Sequence, residues 1–275
     1  MTPSLPTIEP DVETKAAQAH PHGAFDAPVE EAHRAVLFDY LLRLGDDSLV
    51  LGQRLGEWCG HAPALEVDLS LANLALDLIG QGTNFLALAG DADKLAFHRD
   101  VLDWKNCLLV EQPNGDFGQT IARQLLFSTW QHMLYQRLAG SKDERIAAIS
   151  AKGVKEVAYH REIAADWTIR LGDGTEESAR RIADGVDWCW RFVPELFEVD
   201  EVVTELIGRG IAADPREYEA DYRSAIAAVL AEAKLAAPAD QRPILGGRRG
   251  HHSEHLGHLL AVMQFLPRTY PDAQW

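Results

Sequence analysis

The sequence predicts an all-α protein built as a helical bundle, and three observations carry that prediction. Apolar residues recur at i, i+3, i+4 and i+7 over long stretches. Val, Ile and Thr are never gathered into alternating runs bounded by turns. Long helical stretches are joined by short connections and carry polar stripes on otherwise apolar faces, the pattern of a bundle whose ligand sites, where present, lie between helices. With 275 residues, 47% hydrophobic and 25% charged, the chain can bury a sizeable core; a disulfide-stapled scaffold and wholesale disorder are excluded.

Residues 1–31 are rich in Pro, Ala and acidic side chains without any period, which predicts a flexible leader ahead of a single helical domain over 32–275. From Ala32 the pattern changes: Val36, Leu37, Tyr40, Leu41 and Leu44 share one helical face, and apolar positions continue through Leu55 and Trp58. Gly60-His61-Ala62-Pro63 breaks this first helix. A second helix, from about Leu65 to Leu88, is apolar nearly all round, as expected of a helix enclosed by others. Its exceptions, Asn73, Asp77, Gln81 and Asn84, are spaced four, four and three and form one polar stripe.

A shorter helix is expected between Asp93 and Val110, followed by a tight turn at Pro113-Asn114-Gly115-Asp116. The third long helix covers about Phe117 to Leu138. The fourth covers Glu144 to Leu171 and stops at Gly172-Asp173-Gly174. A fifth is predicted from Glu176 to Phe197, and Asp214-Pro215 reads as an N-cap with Pro at the first helical position of a helix reaching Leu235. The loop Pro238 to Gly250 contains Gly246-Gly247 and Arg248-Arg249 and leads into a last helix from His251 to about Leu266.

Charge narrows the function classes. Lys plus Arg number 26 against 42 Asp plus Glu, a formal net charge of −16 that repels phosphate backbones and anionic headgroups, so neither nucleic acid nor membrane is an expected partner. No run of 18 apolar residues and no signal peptide is present, and Cys59, Cys107 and Cys189 form no C-x-x-C pair. These features predict a cytoplasmic protein with buried thiols. Trp58-Cys59 and Trp188-Cys189-Trp190 read as aromatic anchors of a core or an interface.

No dinucleotide, Walker or G-x-S-x-G signature occurs. Glu156 and His160 lie one turn apart on the fourth helix, where they can either share a metal or form a buried polar pair. A di-iron bundle needs two lone carboxylates and two Glu-x-x-His pairs. The only Glu-x-x-His in the chain is Glu30 with His33, at the leader's edge; Asp77 is followed three residues on by Gly80 and Glu156 by Tyr159. A six-ligand site cannot be assembled from the core helices. The expectation is therefore no metal and no catalytic group in this chain. Glu57, Asn73, Asp77, Gln81, Gln124, Glu156 and His160 would instead form a buried polar network at a degenerate di-iron position, because each unpaired member costs roughly 1–3 kcal/mol. The rival is an autonomous metal-dependent oxidase using Glu57, Asp77, Glu156 and His160.

His251 to His255 fits H-x-x-E-H, yet an inverted zinc protease needs a further acidic ligand well downstream and only Asp272 follows. His255 with His258 stays open as a peripheral metal pair or a self-packed helix start. Arg248, Arg249, His252, Glu254 and His255 are candidate interface or anion contacts, with a solvated loop as the alternative for the arginines.

Several segments together resemble one known family: Leu42 to Asp47, the block Arg54-Leu55-Gly56-Glu57-Trp58-Cys59-Gly60-His61-Ala62-Pro63, Leu69 to Gly80, Leu109 to Gly115, Ala148 to His160 and His252 to Gly257. Their order and spacing, from about Tyr40 to Trp275, resemble the PaaC family, the C component of the bacterial phenylacetyl-CoA 1,2-epoxidase. The resemblance implies a ferritin-like bundle with additional C-terminal helices, serving as a structural subunit of a multicomponent monooxygenase in aerobic phenylacetate catabolism. It also implies a homologous catalytic A subunit holding the di-iron centre and phenylacetyl-CoA, a small B subunit, and a reductase subunit with FAD and a 2Fe-2S cluster fed by NADPH. The missing Glu-x-x-His pairs agree with the structural role.

Overall fold

A computed structural model of the chain describes residues 31–239, 241–271 and 273. The expected leader, up to residue 30, lies outside the described residues. Among the described residues the secondary structure is helical throughout, without strands. Four long helices form the frame: α1 (Glu31–Gly56), α2 (Leu65–Ala89), α5 (Phe117–Leu138) and α6 (Glu144–Gly172). Between the two pairs lie the short α3 (Ala92–Phe97) and α4 (Leu108–Glu111). After them come α7 (Glu176–Trp190), α8 (Glu201–Gly208), α9 (Glu219–Glu232), α10 (Glu254–Met263) and α11 (Phe265–Thr269).

α1 packs along α2 and α5 along α6, and contacts between α2 and α6 close the frame. α7 and α9 cover α5, while α8 lies against α1. The result is that α5 is buried along nearly its whole length. α1 and α2 approach closely enough that a Cβ on Gly82 would stand 2.9 Å from the Gly45 carbonyl oxygen, so glycine is required at that crossing. Carboxylates at helix starts are used locally: Asp116 accepts from the Gln119 amide, Asp143 from Arg145 and Ile146, and Asp200 from Val203. None of the described helices is long and apolar enough to cross a membrane.

Several expectations change. The segment 93–110 is not one helix. It is α3, a 3-10 turn (Val101–Asp103), extended backbone and α4. The reason is tertiary: the amides of Lys105 and Cys107 donate to Asp46 and Asp47 of α1 (2.9 and 2.7 Å), which holds the backbone extended. The fifth helix ends at Trp190 rather than Phe197, because Pro194 has no amide to continue it and sits in a 3-10 turn (Val193–Phe197). Asp214 caps a 3-10 turn (Pro215–Glu217), and α9 begins only at Glu219. The last helix starts at Glu254, since the Ser253 amide is claimed by Glu111 (2.6 Å), and it breaks at Gln264 before α11. α2, apolar nearly all round, is only partly enclosed: Leu65, Leu69 and Leu76 are 72%, 58% and 66% exposed. Of the cysteines, Cys107 and Cys189 are buried but Cys59 is exposed, contrary to the expectation of buried thiols throughout.

Candidate functional site

The polar midplane of the four long helices is the candidate site. Gln131 on α5 is its hub: its Nε2 donates toward Ser48 Oγ of α1 (3.2 Å), Gln81 Oε1 of α2 (3.1 Å) and Tyr135 Oη (3.0 Å). Tyr135 Oη also donates to Gln81 Oε1 (3.3 Å), and the Gln81 amide donates to Glu156 Oε2 on α6 (2.9 Å). Gly153 makes room for this, since a Cβ there would meet the Tyr135 ring at 2.7 Å. One turn along α6, His160 Nε2 lies 3.1 Å from Asp77 Oδ2. Burial pushes the His160 pKa down despite that carboxylate, so the neutral ring donates Nε2–H to Asp77. Burial likewise pushes the Tyr135 phenol far up, keeping it a neutral donor.

The charged members stand at the edge. Glu156 and Asp77 keep 24% and 39% of their side chains exposed, and Lys152 Nζ lies 3.6 Å from Glu156. They border a small cleft between α2 and α6, lined also by Gly80, Asn84 and Ile149. The site is therefore a neutral amide and hydroxyl interior with two carboxylates at its mouth.

Of the seven residues expected in one network, Gln81 and Glu156 are joined in it, while Asp77 and His160 form a separate pair one turn along α6. The other three join neither. Glu57 is half-exposed at the end of α1, taken by Arg54 (2.8 Å) and the Asn114 amide (2.9 Å). Asn73 points to solvent on the outer side of α2. Gln124 is buried, but its amide atoms meet no protein partner, as is also true of Ser128 Oγ and His160 Nδ1. Conversely, Ser48, Gln131 and Tyr135 were not anticipated. The i, i+4 pair of Gln131 and Tyr135 on the apolar third helix was the available signal.

A second polar cluster lies on the other flank of α1, and it absorbs the residues expected to meet partners or anions. Arg248 is buried and forms a two-point pair with Asp47 (Nη1 to Oδ1 2.9 Å, Nη2 to Oδ2 2.7 Å). His252 donates Nδ1–H to Glu111 (2.7 Å) and Nε2–H to the Trp104 carbonyl (3.0 Å). Burial opposes its charge, but the Glu111 carboxylate and the carbonyl outweigh burial and raise its pKa. His255 offers its carbonyl to Arg54 Nη2 (2.8 Å). Only Arg249, 3.3 Å from Glu198, and Glu254 at the start of α10 remain exposed. Arg248 and His252 are thus internal fasteners, not surface contacts, because buried counter-charges reach them first.

Among the described residues, no group of three or more His, Cys, Asp or Glu side chains converges so as to hold a metal ion. The groups gathered at the midplane are amides and hydroxyls, weak donors for a hard cation compared with carboxylates. Four long helices around a polar midplane, with accessory helices on α1 and α5, define an all-helical bundle of the ferritin-like class. The sequence profile described as phenylacetic acid catabolic protein (PaaA_PaaC) matches residues 25–275, and the chain belongs to that family. It is similar to an Escherichia coli K12 protein, the C subunit of 1,2-phenylacetyl-CoA epoxidase, with 50% identity over 242 residues, 86% of this chain and 98% of that one.

Proposed function

We propose that this chain is the non-catalytic, structural subunit of a phenylacetyl-CoA epoxidase, acting in phenylacetate breakdown by pairing with and stabilising a catalytic A subunit. The observation that carries this reading is the hydrogen-bonded midplane: Ser48, Gln81, Gln131, Tyr135 and Glu156 bond to one another where a catalytic bundle of this class gathers metal-binding carboxylates and imidazoles. The Escherichia coli relative, by its name the C component of such an epoxidase, supports the same assignment. In this reading the di-iron centre and phenylacetyl-CoA belong to the A subunit, FAD, 2Fe-2S and NADPH to a reductase, and the cytoplasmic assembly also includes a small B subunit. The whole would insert one atom of O₂ into the aromatic ring as an epoxide. A chain with a net charge of −16 is a poor general attractor for polyanionic coenzyme A, which supports placing the thioester elsewhere. The described helices would act as one mechanical unit, stiffening the partner bundle that positions the iron ligands.

Expressing the A homologue with and without this chain tests the reading. Alone, the A protein is expected to be largely insoluble or short-lived, and co-expression rescues it. An A protein equally soluble, iron-loaded and active on its own would overturn the role. Iron analysis of this chain purified from iron-supplemented cells is expected to give a negligible content; about two irons per chain would favour the autonomous oxidase instead.

A further inference from the structure

Beside the Arg248–Asp47 pair lies a cleft that the proposed function leaves unused. Its walls come from the N-terminal half of α1, from α5, from the 3-10 turn (Val193–Phe197), from α8 and from the 3-10 turn (Pro215–Glu217). The empty volume is about 530 Å³ with the mouth included, within the roughly 300–1,000 Å³ of small-molecule sites. The centre of a water molecule has about 50 Å³ to move in, room for about four waters at roughly 10–15 Å³ each. The occupant is therefore small, a single substituted ring.

Three features of the wall define what fits. The larger part of its surface is apolar, supplied by Leu44, Trp130, Leu134, Leu196, Val203 and Pro215, so the body of the ligand is apolar too. The charges in the wall are already committed. Arg43 is held by Asp39 and Asp200, and Arg248 by both oxygens of Asp47. Glu195 accepts three backbone amides, and Glu198 pairs with Arg249 through one oxygen while its other, buried oxygen meets no partner. Two guanidiniums against Asp47, Glu195, Glu198 and Asp200 leave no open fork for an anion, and the same two guanidiniums oppose a cation. The third feature is Tyr40, which is buried in the wall and whose hydroxyl has no partner among the described residues. Burial pushes its pKa far up, so the hydroxyl keeps its proton; of the charges around it, Arg248 and Arg43 act more strongly than Asp47. The space beside it favours an atom that accepts a hydrogen bond. Tyr218, also in the wall and buried, leaves its hydroxyl without a partner as well. A buried donor in that state costs roughly 1–3 kcal/mol.

We infer that this cleft is a binding site for a small, uncharged ring compound bearing one hydrogen-bond acceptor, an aryl ketone or a molecule of similar chemistry, whose oxygen takes the Tyr40 hydroxyl. The site is separate from the polar midplane and independent of the subunit role. Its walls join α1 to α8 and to the loop carrying Arg248, so occupancy ties those elements together and stabilises the chain.

Calorimetric titration of the full chain with four probes of similar size tests the inference: acetophenone, a neutral acceptor; ethylbenzene, without a polar atom; benzoate, an anion; and protonated 1-phenylethylamine, a cation. Acetophenone is expected to bind saturably, once per chain, and to raise the melting midpoint. Ethylbenzene is expected to bind about two- to tenfold more weakly, the fold-change of one lost hydrogen bond, and both ions more weakly still. Tyr40→Phe is expected to bring acetophenone down to the ethylbenzene level while leaving ethylbenzene unchanged. Ala213→Trp, at a partly exposed position of the lining, is expected to abolish binding of both; if that variant does not fold, Ala213→Phe carries the same expectation. No saturable binding of acetophenone, or binding that neither variant disturbs, would overturn the site. Equal affinity for acetophenone and ethylbenzene would overturn the role of the Tyr40 hydroxyl. Tighter binding of benzoate or of the amine would overturn the uncharged class.

Discussion

The two flanks of α1 bury polar groups with opposite chemistry. Toward α5 and α6 the interior is neutral: Ser48, Gln81, Gln131 and Tyr135 exchange hydrogen bonds, and the carboxylates stay at the solvent edge. Toward the 91–111 segment and the C-terminal loop the interior is ionic. Asp46, Asp47, Glu111 and Glu195 are almost fully buried, and each is answered. Arg99 pairs with Asp46, Arg248 with Asp47, and His252 with Glu111. Glu195 instead accepts the amides of Leu108, Gly246 and Gly247 (2.6, 2.8 and 2.7 Å). Burial still raises the Glu195 pKa above the usual carboxylate range, against the lowering pull of Arg248 and those amides. Charge buried without a partner costs several kcal/mol, so its persistence on one flank marks a structural fastening. Its absence from the midplane marks a centre that does not need charge.

The sharpest way to break this comparison is to remove one fastener. Arg248→Met strands the buried Asp47 carboxylate and is expected to cost about 3–5 kcal/mol in urea unfolding, most of it recovered when Asp47→Leu is added. A loss below about 1 kcal/mol would show that the ionic flank carries no more than the neutral one.

The two buried histidines should titrate in opposite senses. His252 has a folded pKa raised above its ordinary value, so its contribution is full below about pH 6.5 and is lost as pH rises through the folded value. His160 has a lowered folded pKa. Its unfolded form takes up a proton below about pH 6.5 that the folded form refuses, and acid therefore weakens the fold there. Unfolding at about pH 5.5 and about pH 8.5 checks this. His252→Gln is expected to cost more at the acid value, and His160→Gln less. The same trend in both variants would erase the distinction between the flanks.

Within the neutral network, Tyr135→Phe removes one hydroxyl and leaves Gln131 and Gln81 bonded to each other, so about 1 kcal/mol is expected from the urea midpoint. The smallest effect belongs to the mouth of the site. Lys152 is mostly exposed and 3.6 Å from Glu156, and Lys152→Ala is expected to change stability by less than about 0.5 kcal/mol.

What the sequence made legible follows the range of the forces involved. α1, α2, α5 and α6 were readable because apolar period and local stops such as Gly172-Asp173-Gly174 act within a few turns. Gln81 with Glu156 and Asp77 with His160 were readable as polar exceptions on apolar helices, though not as partners. The 91–111 segment was not, because side chains of α1 hold it extended across 59 and 60 residues of sequence. α8 escaped notice because eight residues give too little periodicity. Arg248 looked like a loop cation because nothing in its neighbourhood announces an aspartate 201 positions earlier. Glu57 misled for the converse reason: its carboxylate is drawn to Arg54 and Asn114 at the surface.

That separation of 201 positions also bears on how the chain is made. Asp46 and Asp47 are made first, the guanidinium of Arg99 follows Asp46 by 53 positions, and that of Arg248 follows Asp47 by 201. Until then the first long helix carries an acidic group it cannot bury at a tolerable energy. A polypeptide cut ahead of Arg248 is left open along that seam, so the segment carrying Arg248 is what locks the first helix in place.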